Sequence, residues 1–179
     1  MKRKDIVKKA LKFATKAHTG QVRKYTGEPY INHPIAVART VKLVSSDKRM
    51  EAAALLHDVV EDTDVTIEEI IKEFGVFIGS LVADLTDVSR PDQGNRKIRK
   101  NIDFEHTADA SPSAKTIKLA DLIDNTSSIT LSDEGFARVY MGEKKRLLSV
   151  LTKGDPRLFS MARAMVVEYF KKEEMNAEI

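Results

Sequence analysis

The residues of this chain best suited to chemistry lie in one stretch, His57 to Thr63, which reads His-Asp-Val-Val-Glu-Asp-Thr. An adjacent histidine and aspartate can offer an imidazole nitrogen and a carboxylate oxygen to one metal ion. Because residues four apart share a helix face, Glu61 and Asp62 follow His57 and Asp58 by one turn. Carboxylates placed there could handle the protons of an attacking water. We therefore interpret the stretch as the floor of a metal hydrolase site.

Two further segments supply residues that can bind a metal ion. His33 precedes Pro34 at the expected start of a helix, where the alternative role for a histidine is to cap that helix. Asp121 follows an apolar pair and shares a helix face with Asn125. Its alternative role is that of a buried aspartate bonded to a neighbouring helix. Asp124 lies one position off that face, where we expect it to support a ligand or to be exposed.

Together these segments offer two imidazoles and two carboxylates to one ion. The four candidate ligands are His33, His57, Asp58 and Asp121. Such a set suits a divalent ion such as Mn²⁺, Fe²⁺ or Zn²⁺, with positions left for water and substrate. Of the other two histidines, His18 lies at a helix end, where we expect a structural role, and His106 has no assigned role.

The elements that must position these residues are helices. Helical periodicity dominates the chain, and no β-hairpin pattern is convincing. We predict an all-α fold, a single compact bundle of roughly eight to ten helices over residues 1–179. Four predicted helices begin at a cap or a first turn, at Asp5, at Pro34, near Asp47 and at the capping box of Thr66. A fifth helix is predicted from Val76 to Val88. Two later helices are predicted from Ser111 and Pro112 to about Thr126 and from about Gly135 to Lys153.

The least regular part is predicted to be Ser89 to Asp109, which contains a strongly basic segment. Its cations Arg96, Lys97, Arg99 and Lys100 could stand with Lys24 at the rim of the site and stabilise negative charge there. The alternative, equally weighted, is that this basic segment is a solvated loop.

Composition excludes several classes of protein. The chain has no cysteine, which excludes disulfides, thiolate metal sites and cysteine nucleophiles. Apolar residues make up 42%, which is typical of a globular protein. We find no apolar stretch of membrane-spanning length and no signal-peptide core, so we expect a soluble, cytoplasmic protein. A net charge of +3 and few aromatic residues predict no nucleic-acid or membrane partner, and the oligomeric state stays open.

The four candidate ligands and their neighbours resemble the HD-domain phosphohydrolase superfamily. Several motifs are more specific and resemble the hydrolase domain of RelA/SpoT-type alarmone enzymes. These motifs are Arg23-Lys24, Gly27-Glu28-Pro29-Tyr30, His33-Pro34, His57 to Thr63 and Lys118-Leu119-Ala120-Asp121. The similarity covers roughly residues 5 to 170 without a synthetase or regulatory domain. The chain is therefore most similar to the stand-alone small alarmone hydrolases.

This resemblance implies a Mn²⁺-dependent enzyme that removes the 3′-pyrophosphate of guanosine tetra- or pentaphosphate, leaving GDP or GTP. The expected partner is thus a small nucleotide substrate. Carried over by position, the resemblance implies His33, His57, Asp58 and Asp121 as metal ligands, Glu61 and Asp62 as the catalytic acid pair, Arg23 and Lys24 around the base and phosphates, Asn125 at the nucleoside, and Tyr140 as a substrate-lining residue.

Three features depart from the family pattern. The loop from Arg23 to Gly27 is one residue longer than the commonest spacing, Asp124 stands where histidine or tyrosine is frequent, and Ser127 stands where arginine is common. These positions surround the expected nucleoside pocket. An adenosine alarmone or another phosphorylated nucleotide is therefore an alternative substrate. A catalytically silent nucleotide sensor is a second alternative, which the retained ligands and acid pair disfavour.

Overall fold

The computed structural model describes residues 3–129 and 134–177. Over these residues the chain forms ten α-helices and one 3₁₀ helix, and no strand forms. The elements are α1 Arg3–Ala17, α2 Asn32–Val44, α3 Lys48–Leu56, α4 Val59–Asp62, α5 Ile67–Phe74, α6 Val76–Leu85, the 3₁₀ helix Pro91–Gln93, α7 Arg96–Asp109, α8 Pro112–Ile129, α9 Glu134–Leu148 and α10 Pro156–Ala177. This confirms the predicted all-α fold and number of helices. None of the helices described is long and apolar enough to cross a bilayer.

Helix α8 is the central element, because it packs against α2, α3, α6, α9 and α10. Its apolar side chains Ile117, Leu119 and Leu122 are completely buried. Burial of one such side chain stabilises the fold by about 1.5–3 kcal/mol. Asp121 lies among these residues, so its backbone is held by well-packed neighbours.

Helix α3 is the second buried element and packs against α1, α2 and α6. Every residue from Ala52 to Leu56 is buried. Ala10 and Ala14 of α1 are also completely buried, and such small side chains let neighbouring helices approach closely. The apolar run ends before His57, so the buried helix holds the start of the His57 to Thr63 stretch in a fixed position at the edge of the core.

Capping residues begin three of the helices as predicted. The Asp47 side chain accepts a hydrogen bond from the Arg49 backbone N–H at the start of α3. Thr66 and Glu69 form a reciprocal capping box at α5. Ser111 accepts from the Ala114 backbone N–H, and Pro112 is the first residue of α8.

The prediction that Ser89 to Asp109 is irregular is wrong, because most of it forms α7. The only buried residues of α7 are Asp103 and Thr107, so the helix lacks the apolar stripe on which periodicity depends. Polar bonds hold it instead. Asn95 caps its first turn by accepting from the Ile98 backbone N–H, and Asp103 accepts from the Ser89 backbone N–H at 2.9 Å.

Four predicted helix ends also need correction. Helix α1 begins at Arg3, so Asp5 lies inside its first turn rather than capping it. Helix α6 ends at Leu85, because the backbone becomes extended at Thr86. Helix α9 ends at Leu148 rather than Lys153. Helix α8 continues past Thr126 to Ile129, because the Thr126 hydroxyl donates back to the Leu122 carbonyl at 2.7 Å and so fits within a helix.

Candidate metal and active site

Two histidines and an aspartate converge where the start of α2 meets the end of α3. His33, His57 and Asp58 each present a ligand atom, and these atoms all lie within 4.8 Å of one another. Asp58 Oδ2 lies 3.4 Å from His33 Nε2, and Asp58 Oδ1 lies 3.1 Å from His57 Nε2. His33 lies inside the first turn of α2 and is buried, so it does not cap the helix. Three of the four predicted ligands therefore form a compact group.

Helix α8 brings the fourth predicted ligand, Asp121, to the same point. Its Oδ1 lies 3.2 Å from His33 Nε2 and 3.8 Å from His57 Nε2. The Asp121 side chain is only 8% exposed. Residues from three separate segments thus face one small space.

Hydrogen bonds at the outer nitrogens fix both imidazole rings. His57 Nδ1 lies 2.8 Å from the carbonyl oxygen of Ala54, and His33 Nδ1 lies 2.7 Å from Asp124 Oδ2. Because a carbonyl or an ionised carboxylate can only accept, both Nδ1 atoms carry a hydrogen. Nε2 of each ring is then left to face the two central carboxylates.

This donor set fits a divalent metal ion. Among the residues described, His57 Nε2 is buried and makes no well-aligned hydrogen bond, although Asp58 Oδ1 lies 3.1 Å away. Buried polar atoms are rarely left without one, and a bound ion would satisfy this nitrogen. Imidazole nitrogens and carboxylate oxygens are also the ligands that divalent transition-metal ions accept. These residues can therefore hold a divalent metal ion.

The charges of the site agree with this conclusion. Burial acts to lower the pKa of His57, but the carboxylates of Asp58 and Asp121 outweigh it and raise the pKa to about 10. Burial acts to raise the pKa of Asp58, but His57 holds it below its usual value. Lys118, 3.5 Å from Asp121, outweighs burial in the same way and keeps the pKa of Asp121 well below its usual value. Two ionised carboxylates therefore attract positive charge to this point.

The short helix α4 carries the predicted acid pair, Glu61 and Asp62, directly after the ligands. Glu61 accepts a hydrogen bond from the Asp87 backbone N–H at 3.2 Å. Glu61 and Asp62 both reach solvent, but the protein around them removes part of their hydration. This desolvation and the Asp87 carboxylate raise the pKa of Glu61 to about 7, and desolvation with the Asp58 carboxylate raises the pKa of Asp62. A carboxyl group that titrates near neutral pH is suited to proton transfer.

A cavity of about 360 Å³ opens over the ligands and the acid pair. This volume lies within the range of small-ligand sites. Six of the predicted site residues line it, namely Asp58, Glu61, Asp62, Asp121, Asn125 and Tyr140. The buried imidazoles of His33 and His57 lie beside it, whereas Arg23 and Lys24 are not among its lining residues.

Comparison with known proteins places this geometry in a family. The HD-domain model matches residues 10–138. The chain belongs to the HD-domain family. This confirms the resemblance to the HD-domain superfamily that the sequence motifs indicated.

Relatives of this HD-domain chain include named hydrolases. The human protein named guanosine-3′,5′-bis(diphosphate) 3′-pyrophosphohydrolase MESH1 is 39% identical over 150 residues, which are 81% of this chain and 82% of the human one. A protein of the same activity name from Aquifex aeolicus is 35% identical over 70% of this chain, but only 18% of its own length is covered. A solved structure described as a metazoan SpoT orthologue that hydrolyses ppGpp has a TM-score of 0.82 at 30% identity, and covers 92% of this chain and 95% of that one.

Of the residues that line the HD-domain cavity, seven are acidic and five are cationic. The cationic residues are Arg96, Lys100, Lys118, Lys144 and Arg146. Arg96 pairs with Glu143 at 2.8 Å, while burial and the nearby Lys118 lower the pKa of Lys144 to about 8. Arg96 and Lys100 therefore belong to a helix that faces the cavity, and the basic segment is not a solvated loop.

Arg23 and Lys24, both predicted to bind substrate, point to different places. Arg23 donates to Asp124 and Asn125 on α8. The Lys24 ammonium lies 4.9 Å from the ring centroid of Tyr25 and 5.7 Å from that of Phe136. Of these two cations, Lys24 is therefore the one that lies beside aromatic rings of the kind on which a base can stack.

The two remaining histidines have structural partners. The His18 ring packs 4.8 Å from the ring of Tyr30, and its Nδ1 lies 2.7 Å from Gln21 Oε1. His106 lies in α7, with Nε2 2.9 Å from the Ala83 carbonyl oxygen. The predicted structural role of His18 agrees with these contacts.

Several residues of the HD-domain site were missed from sequence. Tyr30 donates to Asp58 Oδ2 at 2.8 Å, and burial with the nearby Asp58 raises its pKa, so it stays a neutral phenol. Lys118 lies one helix turn before Asp121, a spacing that could have indicated their contact. Asp87 and Lys144 reach the cavity from distant segments and had no local signal.

Proposed function

We propose that this chain removes the 3′-pyrophosphate of guanosine 3′,5′-bis(diphosphate) or of the corresponding pentaphosphate, releasing GDP or GTP and pyrophosphate. The observation that carries the proposal is the convergence of His33, His57, Asp58 and Asp121 beside the acid pair. The names of relatives matched over most of their length support this substrate.

We propose the four converging residues as ligands of one divalent ion, most suitably Mn²⁺. An ion bound there would stabilise negative charge on the phosphoryl group and make water a better nucleophile. His33 and His57 are held with Nε2 facing inward, and Asp58 and Asp121 are kept ionised by their cationic neighbours. The site is therefore preorganised for binding.

The acid pair handles the protons in this proposal. Glu61 in its ionised form accepts the proton of the attacking water, and its pKa near 7 allows it to release that proton again. Asp62, whose pKa is raised towards the same range, lies next to it.

The cationic side chains of the cavity bind phosphate in this proposal. A substrate with two diphosphate groups brings several negative charges into one cavity. Arg96, Lys100 and Lys144 line that cavity and can neutralise the diphosphate that is not cleaved. Asn125 and Tyr140, which also line it, would contact the nucleoside. The cytoplasm is the proposed location.

The proposal is tested by incubating Mn²⁺-loaded protein with guanosine tetraphosphate and measuring GDP and pyrophosphate. We expect equal amounts of both products, and loss of turnover in the Asp58→Ala variant. Metal-depleted protein, with one ion added back at a time, tests the choice of Mn²⁺. Turnover no greater than that of Asp58→Ala would contradict the proposal.

An adenosine alarmone is the second candidate substrate. It is favoured by Asp124, which departs from the family pattern and accepts a hydrogen bond from Arg23 beside the expected nucleoside pocket. Comparing kcat/KM for guanosine and adenosine tetraphosphates decides between the two. A higher value for the adenosine compound would support this second candidate, and an equal or lower value would reject it.

A further inference from the structure

A closed ring of polar contacts passes through Arg23 and joins two of the proposed metal ligands. Arg23 Nη1 donates to Asp124 Oδ2 at 2.6 Å, and His33 Nδ1 donates to the same oxygen at 2.7 Å. Arg23 Nη2 donates to Asn125 Oδ1 at 2.8 Å, and Asn125 Nδ2 donates to Asp121 Oδ1 at 2.6 Å. The ring closes between Asp121 and His33 Nε2, 3.2 Å apart.

We propose that Arg23 and Asp124 are positioning residues of the metal site. They hold His33 and Asp121, which come from different helices, in the arrangement needed to share one cation. The proposal rests on the metal site of the proposed function, but not on which nucleotide is hydrolysed.

The Asp124 arm of the ring orients His33. A carboxylate that accepts from Nδ1–H turns Nε2 towards the site and makes the imidazole a stronger ligand. The bond from Arg23 to Asp124 is charge-assisted, and the two side chains are only 13% and 27% exposed. The Arg23–Asp124 pair is thus shielded enough from water to hold the His33 imidazole in one orientation.

The Asn125 arm orients Asp121. Arg23 Nη2 also donates to Ser128 Oγ at 2.9 Å, so the guanidinium is held by three side chains of α8. Because Asn125 Oδ1 accepts from Arg23, the amide presents its Nδ2 to Asp121. One guanidinium therefore determines the orientation of both ligands.

The loop between α1 and α2 fixes the backbone that carries Arg23. The Arg23 N–H donates to the Glu28 carbonyl at 2.8 Å, and the Gly27 N–H donates to the Arg23 carbonyl at 2.9 Å. Gly27 has a φ of +70°, a conformation that favours glycine and permits this tight turn. The loop thereby directs the guanidinium back onto α8.

This arrangement separates the roles of two neighbouring cations. The Arg23 guanidinium donates to three side chains of α8, whereas the Lys24 ammonium lies over two aromatic rings. Arg23 therefore serves the metal ligands, and Lys24 is left to meet the nucleotide.

The test is a Mn²⁺ titration without nucleotide, in which electron paramagnetic resonance measures the free ion. We expect Asp124→Ala and Arg23→Gln each to raise the Kd for Mn²⁺ by about 10- to 100-fold, the loss typical of a removed supporting partner. Because both substitutions break the same ring of polar contacts, the double variant should bind Mn²⁺ little more weakly than either single variant.

Two matched variants serve as controls. Lys24→Gln removes the same charge from the adjacent position, and Asp92→Ala removes a carboxylate that is 77% exposed. Neither should change the Kd for Mn²⁺ by as much as twofold. Circular dichroism of metal-free protein checks folding, and Asp124→Asn replaces Asp124→Ala if the latter does not fold, with weaker Mn²⁺ binding still expected.

A Kd within twofold of wild type in folded Asp124 and Arg23 variants would overturn the proposal. Its failure can be told apart from failure of the proposed function, because no substrate enters the measurement. Wild-type protein that binds Mn²⁺ but leaves guanosine tetraphosphate intact would contradict only the proposed function.

Discussion

At each imidazole of the candidate site, Nδ1 holds the ring in place and Nε2 faces the two central carboxylates. His57 is held by a backbone carbonyl of α3, the helix that ends just before it, whereas His33 depends on Asp124, a side chain from α8. The orientation of His57 is therefore set by local helix geometry. That of His33 requires a tertiary contact, so it is the ligand more sensitive to mutation elsewhere.

The acid pair gives the first prediction at this scale. Glu61→Gln should lower kcat by about 10²- to 10⁴-fold, because an amide cannot accept the proton of water. In wild type, kcat should rise with pH through about 7, where Glu61 loses its proton, since the ionised form is the base. The check is kcat as a function of pH for both proteins.

Two controls accompany this measurement. Mn²⁺ content should be unchanged in Glu61→Gln, since Glu61 is not a proposed ligand. Glu68→Gln makes the same exchange at an exposed position of α5 and should keep wild-type kcat. Near-normal turnover in Glu61→Gln would mean that the proton-handling role is assigned to the wrong residue.

At the scale of elements, sequence predicted those helices whose signals are local. The run from Ala52 to Leu56, the Thr66 capping box and Pro112 each mark a helix by residues within one or two turns. Helix α7 was missed because its stability comes from bonds to other segments, such as Lys100 to Asp87 at 2.5 Å. A basic run without an apolar stripe carries no periodic signal of such bonds.

The residues of the candidate site also divide into those with a local sequence signal and those without one. The four proposed ligands could be predicted because their residue types and neighbours form recognisable motifs. The Arg23–Asp124 pair could not, since it joins positions about a hundred residues apart and is visible only once the loop turns onto α8. Lys144 and Asp87 were missed for the same reason.

The loop between α9 and α10 gives a prediction about packing. A Cβ at Gly154 would lie 2.7 Å from Leu119 Cδ1 and 3.1 Å from the backbone carbon of Lys115, both on α8. Because backbone atoms cannot move aside cheaply, Gly154→Ala should lower the free energy of unfolding by about 1–3 kcal/mol. Chemical denaturation measures the difference.

Gly142→Ala is the matched control for this change. A Cβ there meets nothing within 4 Å, and Gly142 lies inside α9. Alanine should therefore stabilise the protein by up to about 1 kcal/mol through helix propensity. Equal effects of the two substitutions would contradict the packing of this loop against α8.

At the scale of the whole molecule, the proposed metal site joins the first, middle and later parts of the chain. The proposed ligands come from α2, the end of α3 and α8, and these three helices also pack against one another in the core. An ion held by all of them can be bound only when they are folded together. Metal binding and global stability should therefore be linked.

This linkage is measurable by thermal unfolding. Mn²⁺ at a hundred times its Kd should stabilise the folded protein by about 2.7 kcal/mol and raise Tm accordingly. Asp121→Ala should reduce both the rise in Tm and the Mn²⁺ content, because it removes one proposed ligand. The exposed Asp92→Ala variant should show the full rise. Equal rises in the two variants would remove Asp121 from the ligand set.

The central claim is that four side chains from three helices hold one cation, and a crystal grown with Mn²⁺ tests it most directly. We predict a single anomalous peak for Mn²⁺ in coordination contact with His33, His57, Asp58 and Asp121, with Glu61 beside it. A Mn²⁺ peak elsewhere, or these four side chains pointing to separate places, would contradict the account.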